Sequence, residues 1–172
     1  MFKVGDTVLY GSDGVCTINE ISEKIFGNTS IEYYVLVPVF DKRSTFFVPV
    51  KNENLVGKMH HVLSGEEILE IISSSYAELE WIENDLKRGE LFKGIISCGD
   101  FKKIVDLARC ITNHKEEILK KGKKLHKTDE TIYKEALKIL YEEIALSFEV
   151  LKDDIADIVC RKISFENLIK TV

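Results

Sequence analysis

Residues 46–72 read FFVPVKNENLVGKMHHVLSGEEILEII, and within them the periodicity of the chain changes. Before Ser64 the apolar residues come in short runs rich in Val, Phe and Tyr, which is the pattern of strands. From Ser64 onward they recur at spacings of three and four. Ser64 and Glu67 stand at capping-box spacing, so a helix is expected to open there and to carry Ile68, Leu69, Ile71 and Ile72. The stretch therefore predicts two domains, residues 1–58 built of strands and residues 64–172 built of helices, in an α+β chain.

Upstream, KVGDTVLY, VCTINEIS, IEYYVLVPV and STFFVPV form four β-prone runs. Gly11-Ser12-Asp13-Gly14, Gly27-Asn28 and Asp41-Lys42-Arg43 punctuate them as turns. Pro38 and Pro49 each remove a ladder donor, which predicts a sheet edge or strand end at both. In the first run Val4, Asp6, Val8 and Tyr10 alternate with Lys3, Gly5, Thr7 and Leu9, so one face is only partly apolar. A sheet this small buries enough surface only when strongly twisted and closed into a partial barrel.

Downstream, a compact all-α bundle of about five helices is expected. One helix spans YAELEWIENDL (residues 76–86), interrupted afterwards by Gly89 and Gly94. Another starts at Gly99-Asp100 and buries Phe101, Ile104, Val105, Ala108 and Ile111. Thr128 caps a long amphipathic helix whose first turn carries Asp129 and Glu130. A last helix covers residues 153–169. On the wheel of residues 76–86, Tyr76, Leu79, Ile82 and Leu86 share a stripe, and Trp81 falls about 150° away. Two readings of Trp81 stand: an inter-helix core residue, or an outward aromatic available to a partner or to a stacked base step.

The 172 residues are 45% hydrophobic and 31% charged, with a net charge of -5. This balance gives no global attraction to nucleic acid or to anionic membrane, so any such contact needs a local patch. Residues 114–127, HKEEILKKGKKLHK, supply one, with six lysines against two glutamates. Lys115, Lys120, Lys121, Lys123 and Lys124 can follow phosphates, or can be a solvated helix end complementing its dipole. No apolar run is long enough to span a bilayer and the start lacks a signal-peptide pattern, so a cytoplasmic location is expected. Cys16, Cys98, Cys110 and Cys160 lie too far apart for a zinc motif and are expected to be reduced. Neither His60-His61 nor the acid pairs Glu116-Glu117, Glu142-Glu143 and Asp153-Asp154 form a catalytic or metal-binding pattern. The acids are expected on the solvated surface. No enzyme motif is found and no metal or cofactor is implied.

FKVGDTVLY, GVCTINEI, EYYVLVPV, FFVPV and KNENLVGK, in this order, resemble the N-terminal domain of the CarD/CdnL transcription regulators, which also occurs in bacterial transcription-repair coupling factors. GDFKKIVDLARCI, with its internal Arg109, and TDETIYKEALKILYEEIAL, with Glu143-Ile144, are similar to that family's helical half. The resemblance implies a bacterial, non-enzymatic regulator whose Tudor-like β-domain docks on the RNA polymerase β subunit. It also implies a helical domain that contacts promoter DNA at the upstream edge of the bubble and modulates open-complex stability, with a tryptophan as minor-groove wedge. On that basis the polymerase-facing residues are expected to be Lys24, Phe26, Phe46 and Phe47. The DNA-facing residues are Trp81, Lys87, Arg88 and the lysines named above. The alternative is a polymerase-binding protein without direct DNA contact. Phe46 and Phe47 are neighbours on a strand, so only one of them can face the core.

Overall fold

The computed structural model describes residues 1–26, 29–73 and 79–148, with Phe26 defined by its main chain only. Its strands are β1 Thr7–Tyr10, β2 Val15–Phe26, β3 Thr29–Pro38, β4 Phe46–Pro49 and β5 Met59–His61. They form one antiparallel sheet in the order β4-β3-β2-β1-β5. Both prolines are the last residues of their strands, where a missing N–H costs no ladder bond. A register shift between Ile18 and Glu20 bulges the long β2–β3 ladder. The residues between the two expected domains, 59–63, are largely β5, which pairs with β1 through Leu9↔His60.

Val8, Cys16, Ile18, Tyr34, Leu36, Val48 and Met59 make one buried cluster drawn from all five strands, with Leu55 and Val56 of the short helix α1 (Glu53–Val56) packed against it. Among the described residues no ladder joins β4 to β5, so the barrel is partial and β4 is an edge.

The helical part holds α2 Gly65–Ser73, α3 Asp85–Cys98, α4 Phe101–Lys120 and α5 Lys127–Ser147. The expected helix at 153–169 lies outside the described residues. The capping box at α2 forms: the Ser64 N–H donates to Glu67 Oε2 at 2.8 Å, and the Glu67 N–H donates to Ser64 Oγ at 3.3 Å. Asp100 caps α4, and Phe101, Ile104, Val105, Ala108 and Ile111 are all buried. Gly99 ends α3 with φ of 72°, a conformation that favours glycine.

Other helix expectations need correction. Residues 79–84 are not helical; α3 starts only after Asn84, whose side chain accepts from the Lys87 N–H at 3.1 Å. Residues 76–78 of the expected tryptophan helix lie outside the described residues. Gly89 and Gly94 sit inside α3 rather than interrupting it. The cap of α5 is His126, not Thr128.

The two parts share a core. Val8 and Cys16 point into the sheet cluster, whereas their neighbours Leu9 and Val15 point into the cluster formed by Phe92, Ile96, Ile104, Leu107, Ile111, Ile139 and Leu140. Strand alternation thus sends successive residues of β1 and β2 into different cores.

Candidate interaction surfaces

On β4 the alternation separates the two phenylalanines. Phe46 packs against the sheet cluster, its ring centroid 6.3 Å from that of Tyr10. Phe47 points outward and is 45% exposed. The Lys24 Nζ lies 3.5 Å from the Phe47 ring centroid, and Tyr33 meets the ring edge-on with centroids 6.3 Å apart. Lys24 arrives there from β2 and Tyr33 from β3, so the three residues make a cationic-aromatic patch on the outer face beside the free edge. Two of the four expected polymerase-facing residues, Lys24 and Phe47, therefore meet. Phe46 faces inward instead, because its neighbour takes the outer side. The side chain of Phe26 lies outside the described residues. Sequence reasoning missed Tyr33 and the exposed Ile25, although period-two counting from Phe47 along the ladder was the signal for Tyr33.

The expected DNA-facing residues divide in the same way. Trp81 is half-buried ahead of α3, with its ring stacked on His114 at 3.6 Å and 7° and edge-on to Phe92 at 5.9 Å. The Arg88 guanidinium sits 4.3 Å from the same ring. The outward position drawn from the helical wheel fails because the wheel does not apply to a non-helical segment.

Arg88 is only 3% exposed. Its Nε and Nη2 donate to Asp129 Oδ1 and Oδ2 at 3.0 and 2.8 Å, Nη2 also donates to Asp85 at 2.7 Å, and Nη1 donates to the Ile82 carbonyl at 2.7 Å. A buried fork engaged in this way has no donor for a phosphate, so Arg88 is a structural residue. Lys87, its neighbour, is exposed. Arg109 is half-buried and donates to the Ile72 carbonyl.

The lysines stay at the surface. Lys115 lies on α4 beside His114, its ammonium 5.4 Å from the Tyr133 ring. Lys120 is the last residue of α4, and Lys121, Lys123 and Lys124 occupy the loop to α5, all exposed. The field at this corner is felt by Glu130, whose carboxyl is held below the usual range first by its hydrogen bond to Lys134 and further by the charges of Lys115 and Lys124. Trp81 thus meets α4 at His114, Lys115 turns toward Tyr133 of α5, and the loop lysines lie beyond the end of α4.

Glu142 and Glu143, expected on the solvated surface, are buried. Burial pushes the Cys16 thiol up to about 12, helped by Asp13. Among the described residues no cluster of metal-ligating side chains forms, and no helix is long and apolar enough to cross a membrane.

The family comparison matches residues 2–62 to the CarD-like/TRCF RID domain. No curated protein matches the chain. The RID domain is an RNA polymerase β-interacting domain, a protein-interaction family and not an enzyme family. The match supports a polymerase-binding regulator. It ends just past β5, so the match takes in the whole sheet and α1 but none of α2, α3, α4 or α5.

Proposed function

We propose that this protein is a CarD-like transcription regulator. Its RID domain binds the RNA polymerase β subunit through the outer face around Lys24, Tyr33 and Phe47, next to the unpaired edge of β4. Its helical half presents Lys115, Lys120, Lys121, Lys123 and Lys124 to promoter DNA at the upstream edge of the bubble and so modulates the open complex. The match of residues 2–62 carries the polymerase part of this reading. An exposed aromatic braced by a lysine, beside a strand edge, suits strand pairing anchored by one side-chain contact. The DNA part is supported by the lysine corner, since ammonium groups that replace phosphate counterions add affinity without base preference.

The test is binding of the full chain to purified bacterial RNA polymerase, with and without a promoter containing a preformed bubble. Phe47→Ala is expected to weaken polymerase binding about tenfold or more, with and without DNA. Joint replacement of Lys120, Lys121, Lys123 and Lys124 by alanine is expected to abolish only the additional affinity conferred by the bubble. Absence of polymerase binding by the unaltered protein would overturn the reading.

A second reading, polymerase binding without DNA contact, is favoured by Trp81 being stacked on His114 and by Arg88 being buried. It predicts identical affinity with and without the bubble, and an open-complex lifetime that Trp81→Ala leaves unchanged.

A further inference from the structure

The sheet and the helices meet through a set of polar contacts made by two adjacent acids of α5. Glu142 Oε2 accepts from the Val15 N–H of β2 at 3.4 Å. Glu143 Oε1 accepts from the Leu63 N–H at 3.0 Å, just beyond β5, and Ser147 Oγ donates to the Leu63 carbonyl at 2.6 Å. Leu63 is thus held at both its amide and its carbonyl by one face of α5. Glu143 is 1% exposed, and its second oxygen, Oε2, has no hydrogen-bond partner among the described residues. A buried carboxylate oxygen that accepts from no protein donor is costly as an anion and much less so as a neutral acid. We propose that Glu143 is a protonation-controlled latch between the sheet and the helical half. Neutral, it holds the joint closed; ionised, it favours an opened joint in which Leu63 and Glu143 part and the carboxylate meets water.

The surroundings support this assignment. Glu143 lines a cavity of about 270 Å³ together with Leu9, His60, His61, Asp100 and Lys102, which gives water a short way in once the joint loosens. The charged and titratable groups around it are His60 and His61 from β5, Asp100 and Lys102 from the start of α4, and Glu142 on its own helix. Asp13 and Lys138 lie on the Glu142 side, where Lys138 Nζ is 4.0 Å from Glu142 Oε1. His60 is engaged through Nε2 with the Cys98 carbonyl at 2.8 Å, and none of these groups reaches Glu143 Oε2. Burial pushes the Glu143 carboxyl up to about 7, with the Leu63 hydrogen bond opposing.

The direction follows from linkage. A carboxyl that titrates higher in the closed joint than in the open one binds its proton more tightly when closed. The closed state is therefore at full strength below the ordinary glutamate range, weakens as pH rises from there to about 7, and is constant above.

Hydrogen exchange at the Leu63 amide reads this directly. Between pH 5 and pH 7 its rate is expected to rise about 100-fold per pH unit, tenfold from base catalysis and tenfold from opening. In Glu143→Gln, which keeps the acceptor and stays neutral, the expected rise is about tenfold. A carbon-13 titration of the Glu143 carboxyl in the unaltered protein gives a second measurement that needs no variant. A midpoint near 7 supports the latch. A midpoint in the ordinary glutamate range (about 4.3), or equal exchange slopes in the two proteins, would overturn it.

Discussion

Arg88 illustrates how far a single residue can depart from its local reading. Beside a tryptophan, with Lys87 before it, it reads as part of a basic contact. Its partner Asp129 is 41 positions away, and no local pattern discloses a pairing of that range. The pair is buried on both sides, with side-chain exposures of 4% and 3%. Removing one member leaves the other charged and unpaired, so Arg88→Ala is expected to cost about 3–5 kcal/mol of stability in a denaturant titration. Arg88→Lys is expected to recover only a minor part, because an ammonium cannot span both carboxylate oxygens and the Ile82 carbonyl. Gly14 is a second such case. Its φ is 82°, and a Cβ added there would stand 2.1 Å from Glu142 Oε2. Gly14→Ala is expected to lower the melting temperature, and adding Glu142→Ala to restore only the steric part, since the backbone strain remains.

At the level of elements, the readable ones were those whose signal is local. The Ser64–Glu67 box, the Asp100 cap and the buried stripe of α4 depend on residues within a few positions of each other. The strand ends at Pro38 and Pro49 do too. What failed were elements decided by tertiary contacts. α3 contains two glycines and has only Arg88, Phe92 and Ile96 buried, one residue every four positions. That narrow stripe is enough because Phe92 is fully buried under Trp81 and Arg88 is ion-paired to α5. Propensity argued for a break, and packing outweighed it. A Cβ at Gly89 or Gly94 meets nothing within 4 Å. Gly89→Ala and Gly94→Ala are therefore each expected to stabilise the protein by about 0.5–1 kcal/mol, as a rise in the denaturant midpoint. A loss of stability in both would mean that α3 is not a continuous helix. The acids Glu142 and Glu143 were misplaced for a related reason. Sequence marks them as charged but does not reveal that the β2 and Leu63 amides need acceptors inside.

For the whole molecule, the sequence order made the two-part architecture legible, and the family comparison covers the sheet. The functional surfaces were only partly legible. Lys24 and Phe47 converge across strands, and the lysine corner lies where the chain turns from α4 to α5, whereas Trp81 is tied into the helical part. If the corner contacts DNA, the logarithm of affinity should fall with the logarithm of salt. Replacing Lys120, Lys121, Lys123 and Lys124 together should make that slope shallower by about 0.9 for each phosphate no longer neutralised. An unchanged slope would exclude these lysines from the interface.

Leu9 and Val15 carry a consequence for anyone dissecting this protein. They are 1% and 0% exposed in the full chain because they project from the sheet into the helical core. A fragment ending at residue 62 keeps every strand yet strips the cover from both side chains, leaving an adhesive apolar patch beside an amide of Val15 that has no acceptor any more. The sheet is not portable as it stands. Excised alone it is expected to self-associate in sedimentation experiments, and Leu9→Thr with Val15→Thr to return it to a monomer.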